Sequence, residues 1–212
     1  MQLPNSEHES RPWRIHEIAS DFTLEDVWAL PVHGRAEDFD TSLQLIVLGD
    51  PANGKSLATR LLWRVRWQLG EWFGWDDAPE KLPIPGTNEG SLADRLPEDL
   101  RDTVAGLNFA SLPFTPVYRT DREFAAEISN KTVHGVMHLA WVEAGDGSYQ
   151  GQMAVYVKPR GLAGKGYMAL IKPFRHLIVY PALMRQIEQT WNNRNTLERQ
   201  STRPLKAEQT AR

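Results

Sequence analysis

Two runs of alternating side chains, residues 132–142 and 149–158, are separated only by the short segment 143–148. Parallel strands need a crossover of about a dozen residues or more, so these two can pair only antiparallel. Gly145-Asp146-Gly147 supplies the positive-φ positions that a hairpin turn wants. Residues 116–120 and 123–129 alternate in the same way, and Asn130-Lys131 makes a tight link to the next run. Strands that pair in sequence order form an antiparallel meander, and a sheet with an apolar face needs a second layer over it.

Residue parity assigns the faces. Val133, Met137, Leu139 and Trp141 point one way, matched by Met153, Val155 and Val157 on the next strand. Thr132, His134, Val136, His138 and Ala140 point the other way, beside Gln152, Tyr156 and Lys158, so this face is half polar. The cover comes next in the chain. Gly161, Gly164 and Gly166 are expected to form a turn, and Pro173 suits the first position of a helical segment. Tyr180, Leu183, Met184, Ile187 and Trp191 make a stripe facing the sheet, which Phe174, Leu177, Ile178 and Pro181 extend upstream. Pro181 should kink this helix, leaving room for a cavity beneath it.

The first half is less regular. Residues 1–12 read as a flexible arm, and 22–32 as a first strand ended by Pro31 and the His33-Gly34 turn. Residues 36–48 are ambiguous: Phe39, Leu43, Ile46 and Val47 share one helical face, yet 43–48 fit a buried strand equally. Residues 56–73 are an amphipathic helix capped by Ser56. The Pro- and Gly-rich stretch 79–97 is a long connection. Residues 13–192 read as one domain and 193–212 as a polar tail.

Composition removes several function classes. The net charge of -3 gives no reason to expect nucleic acid. There is no cysteine, so disulfides and thiolate chemistry are excluded. A reducing cytosol is compatible with that, and a cytoplasmic location is expected. No segment is long and apolar enough to span a bilayer. No G-x-S-x-G, H-E-x-x-H or G-x-G-x-x-G occurs, so no metal or cofactor is expected.

Gly49-Asp50-Pro51-Ala52-Asn53-Gly54-Lys55-Ser56 satisfies the pattern of a phosphate-binding loop, with a helix after it. The wider context opposes a nucleotide site. Such loops sit in parallel sheets with helical crossovers, and this chain continues as a meander. A corner between two helices explains the octet equally well, so nucleotide binding is the disfavoured alternative. His134 and His138 share one strand face, and a solvent-facing or interface pair is the expectation. A relay from a histidine to Glu127 and an Arg175-His176 anion site are unspecific alternatives.

The segments T-V-H-G-V-M-H-L-A-W-V, G-Q-M-A-V-Y-V-K-P-R-G and Y-M-A-L-I-K-P-F-R-H-L-I-V-Y-P-A-L-M-R resemble a bacterial domain-of-unknown-function family. D-F-T-L-E-D-V-W-A-L-P-V and L-G-E-W-F-G-W-D extend the resemblance over most of residues 12–191. The resemblance implies members that occur alone or behind a short-chain-dehydrogenase-like NAD(P)-binding domain. It also implies an α+β helix-grip fold of the SRPBCC, START-like kind, an antiparallel sheet wrapped around a long C-terminal helix. This chain has fewer recognisable strands than a full helix-grip sheet, and its closing helix is broken by proline. The family carries no catalytic residues over to this chain.

The expected function is binding of an apolar or aromatic small molecule between sheet and closing helix. The expected wall is Met137, Leu139, Trp141, Met153, Val155, Phe174, Ile178 and Met184. A useful pocket of about 300 Å³ would cost on the order of 7 kcal/mol if dry and empty, so it should be filled or open. The alternative is a cyclase- or hydratase-type enzyme using His134, His138, Tyr156 or His176 as acid or base. A dehydrogenase-like protein, suggested by the family's fusions, and a second copy of the chain are candidate partners.

Overall fold

Strands β1 (Gln2–Leu3), β2 (Thr23–Gly34), β3 (Thr115–Arg119), β4 (Glu123–Ser129), β5 (Val133–Glu143) and β6 (Tyr149–Pro159) form one sheet in the order β1-β2-β6-β5-β4-β3. Every neighbouring pair is antiparallel. This is a computed structural model that describes residues 1–47, 89–105, 109, 114–130 and 132–201. The octet 49–56, the helix read over 56–73 and the first part of the 79–97 connection lie outside the described residues.

The expected strands of the second half all form, because period-two alternation of side chains matches the pleat of an extended strand. The register pairs Met137 with Val155, Leu139 with Met153, His138 with Ala154 and Val136 with Tyr156. Residue parity therefore places the faces as the sequence implies. β2 bends through register shifts between Leu24 and Asp26 and between Ala29 and His33. Pro31 falls inside the second shift, where its missing N–H interrupts no regular ladder.

The first sheet face carries Trp28, Leu30, Val32, Phe124, Met137, Leu139, Trp141 and Met153. It is covered by α3 (Phe39–Val47) and by the C-terminal helix α5 (Tyr180–Ser201). The stretch that is legible as helix or strand is thus helical over Phe39–Val47: Phe39 and Leu43, one turn apart, are both buried against the sheet. Tyr180, Ile187 and Trp191 are the buried stripe of α5. Trp141 sits between Tyr149 and Trp191, with ring centroids at 6.4 and 6.5 Å, and its Nε1 donates to Arg35 O at 2.8 Å.

The closing element differs from expectation in three places. Gly161, Gly164 and Gly166 are not a turn but the start of a helix, α4 (Gly161–Phe174). A Cβ on Gly164, in the first turn of this helix, would lie 2.3 Å from the Thr132 carbonyl oxygen, so a larger residue is resisted there. Pro173 lies near the end of α4 rather than at the first position of a segment. The break expected at Pro181 is a π-helical turn, Arg175–Val179, just before it. A proline lacks the N–H for the regular bond and its ring crowds the preceding turn, so a widened turn relieves both problems.

Residues 1–12 are not a free arm. β1 pairs with β2, and α1 (Ser6–Glu9) and α2 (Ile15–Ile18) pack on the second sheet face. The short 3₁₀ turns Leu92–Arg95 and Glu98–Leu100 cover the rest of that face. The C-terminal helix continues to Ser201, beyond the domain end expected at residue 192. No helix among the described residues is long and apolar enough to cross a membrane.

Candidate functional site

Asp26 stands on the first sheet face in the same row as Trp28, paired in register with Val155. It is a carboxylate with 0% exposure in an otherwise apolar surface. Burying a lone charge is prohibitive, so its partners must come from whatever covers it. They come from the π turn and the first residue of α5. The Arg175 guanidinium bonds to Oδ2, and Tyr180 OH donates to the same oxygen at 3.1 Å. His176 Nε2 lies 2.6 Å from Oδ1, within ion-pair distance but off the line of a hydrogen bond.

Aromatic rings enclose this polar knot. Trp28 is 4.7 Å from Tyr180 and 5.8 Å from His176 between ring centroids, and Arg175 lies over the Tyr180 ring at 5.8 Å. Burial, reinforced by the neighbouring Asp26 carboxylate, raises the Tyr180 pKa and keeps the phenol a donor. Trp28 Nε1 and Arg175 Nε are buried and have no hydrogen-bond partner among the described residues. Such unpaired buried donors are uncommon and call for an explanation. A π turn brings Arg175, His176 and Tyr180 to one carboxylate where regular helical spacing would splay them, and π turns occur often at functional sites.

The second face holds a different polar layer. His134 Nε2 is 2.9 Å from Glu127 Oε2, and Glu127 also accepts from Ser91 Oγ and, at 3.0 Å, from Leu92 N. His138 Nε2 is 3.1 Å from Glu123 Oε2, which takes Tyr118 OH at 2.8 Å and Arg14 N at 3.0 Å. Burial opposes ionisation of both glutamates, yet the bonds from the histidines, with Tyr118 and Ser91, hold their pKa values below the ordinary 4.5. Burial lowers the His138 pKa despite Glu123. His8 completes the layer, with Nδ1 2.6 Å from Gln152 Oε1.

Of the expectation that His134 and His138 form a solvent-facing or interface pair, the solvent-facing form is therefore overturned. They are 1% and 0% exposed, because the N-terminal segment and the 92–100 turns close over them. Tyr156 belongs to this layer too, its OH 3.3 Å from His16 Nδ1. All three lie on the face opposite the expected wall. His176 alone among the four polar candidates joins the first face. Of the expected wall, Met137, Leu139, Trp141 and Met153 are core, with Val155 and Met184 packed partly buried against it. Ile178 is 37% exposed, since the widened turn rotates it and Leu177 away from the sheet. The Phe174 side chain lies outside the described residues. A cavity of about 10 Å³ lies under α3, lined by Leu30, Val32, Phe39, Leu43 and Trp141. That is room for about one water, far below a ligand pocket.

Asp26 was not singled out by sequence reading, although a signal exists. It puts a charge in the row Asp26, Trp28, Leu30, Val32, whose other members are all core. A pairing of a strand histidine with Glu127 is legible as one unspecific alternative, and in the structure the histidine beside Glu127 is His134. Among the described residues no group of three or more His, Cys, Asp or Glu could hold a metal ion.

A family model described as protein of unknown function (DUF2867) matches residues 18–182. The chain belongs to the DUF2867 family. No curated protein and no solved structure matches it. The DUF2867 match spans β2 through the start of α5, so both Asp26 and its partners Arg175, His176 and Tyr180 lie inside it.

Proposed function

We propose that this chain binds a small, largely apolar or aromatic molecule between the first sheet face and the closing helix, in the manner of a helix-grip protein. The observation that carries this reading is the knot around Asp26. A few polar groups converge inside an apolar, aromatic surface, which is the usual chemistry of a small-molecule site. The unpaired N–H groups of Trp28 and Arg175 are suited to an oxygen on the ligand's polar end. Met137, Val155 and Met184 lie on the same face as contacts for its apolar body. The 10 Å³ cavity lies under α3 and not beside Asp26. The rings of Trp28 and Tyr180 close on each other over Asp26, so binding there moves the closing helix outward, with the π turn as hinge.

The test is binding to the full chain. An apolar fluorescent dye should bind with micromolar affinity and raise the melting temperature, and Trp28→Ala should weaken it at least tenfold. Native mass spectrometry of freshly purified protein should show a bound small molecule. Dyes that neither bind nor shift the melting temperature, with no co-purified mass, would refute the proposal.

One contact favours a second reading, a cyclase- or hydratase-type enzyme. His176 beside Asp26, at 2.6 Å, has the composition of a histidine general base oriented by a carboxylate. Turnover of a bound molecule that is lost in His176→Gln while binding persists would favour this reading over simple binding.

A further inference from the structure

Residues 1–19 lie across the second sheet face as a strap. β1 fastens one end to β2, and Asn5 Nδ2 donates to Leu24 O at 2.9 Å. Arg14 fastens the other end, its N donating to Glu123 at 3.0 Å and its guanidinium pairing with Asp99 at 2.7 Å. Between these fastenings His8 is fully buried. Its ring centroid is 5.0 Å from His138, 5.3 Å from His16, 5.8 Å from Tyr156 and 6.2 Å from Trp13.

The charged and titratable groups around His8 come from every packed element. α2 contributes His16, the turn before it Arg11, β5 His138 and β6 Tyr156 with Gln152. On its own helix Glu7 and Glu9 are exposed. The buried carboxylate of this region, Glu123 on β4, is already shared by His138, Tyr118 and Arg14. Gln152 occupies His8 Nδ1, and His8 Nε2 has no partner among the described residues. A charge on His8 would therefore sit desolvated against two other imidazoles, with no carboxylate among the described residues bonded to it.

We propose that the strap is released by acid: protonation of His8 lifts residues 1–19 off the sheet while the sheet stays folded. Proton uptake favours whichever state gives the imidazole water, and only release does that. Burial first, then His138, hold the His8 pKa far below 6.5, at about 3. Release uncovers the second face around Val136, Ala154 and Tyr156. The first face keeps its own cover, which is why the sheet survives.

Hydrogen exchange of the full chain, read by mass spectrometry at pH 7.5, 6.0 and 5.0 and corrected for intrinsic rates, tests this. Opening of peptides from residues 1–19 should rise about tenfold per pH unit below about 6.5, while β5 peptides keep their protection. His8→Gln cannot titrate at this position and should make that slope shallower, leaving only what His138 contributes as the strap uncovers it. The proposal fails if strap protection is the same at all three pH values, if strap and β5 open together, or if His8→Gln keeps the wild-type slope. Should His8→Gln not fold, the wild-type His8 ring followed by NMR decides instead. A docked ring that titrates near 6.5 overturns the proposal, and one that stays neutral to pH 5 supports it.

Discussion

Two glycines in one helix should respond to alanine with opposite signs. A Cβ built on Gly164 would lie 2.3 Å from the carbonyl oxygen of Thr132, with Pro159 backbone atoms at 3.2 and 3.3 Å. That oxygen is held by the backbone, since it accepts from Arg160 N at 2.8 Å at the junction of β6 and α4. Gly164→Ala must therefore push the strand link away, break that bond, or shift the helix. Overpacking of this kind costs about 1–3 kcal/mol, and the lost hydrogen bond about 1 kcal/mol more. The helical gain of Ala over Gly, about 1 kcal/mol, offsets part of this. The net loss is about 1–3 kcal/mol. Gly166, two residues on, has nothing among the described residues within 4 Å of its Cβ, so Gly166→Ala keeps only the gain, up to about 1 kcal/mol. For a chain of this size each kcal/mol moves the melting temperature by roughly 2–4 °C. Thermal and urea unfolding of the two variants should place them on opposite sides of wild type. Equal stability of Gly164→Ala and Gly166→Ala would refute the placement of α4 against the β6 exit.

Glu127→Ala removes the acceptor for His134, Ser91 and Leu92 N at once, and should cost about 3–5 kcal/mol by urea unfolding while exposing the 92–100 turns to exchange. Trp141→Ala empties a site that is 1% exposed and frees the Arg35 carbonyl, a loss of about 3–5 kcal/mol in the same assay. Acid should destabilise the protein in two stages. The His8 pKa is depressed to about 3, so its contribution is full above about 6.5 and drains away as pH falls toward 3. The depressed glutamates 123 and 127 contribute fully above 4.5 and lose that contribution below it. Urea midpoints across pH 4–8 that stay level below pH 6.5 would contradict both assignments. Arg175→Met strands the Asp26 carboxylate and should cost about 3 kcal/mol, most of it recovered in the double variant with Asp26→Asn; simple additivity would show that the two do not interact.

The sequence by itself determined the local layers. Period-two alternation is a property of neighbours along the chain, so it placed β3 to β6, their short antiparallel links and the two faces of Met137 and His138. The same local logic found the stripe of Tyr180, Ile187 and Trp191. What it left open is what lies on top of each face. Asp26 meets Arg175 across 149 positions of sequence, and His8 meets Gln152 across 144. No periodicity encodes such partners, so Asp26 went unmarked and His138 passed for a solvent-facing residue. Burial depends on the whole chain closing over a surface: the N-terminal strap hides a polar row that its own composition would place in water. The π turn decided the remainder, turning Ile178 outward and Arg175 inward by a change in helical pitch that apolar spacing alone does not announce.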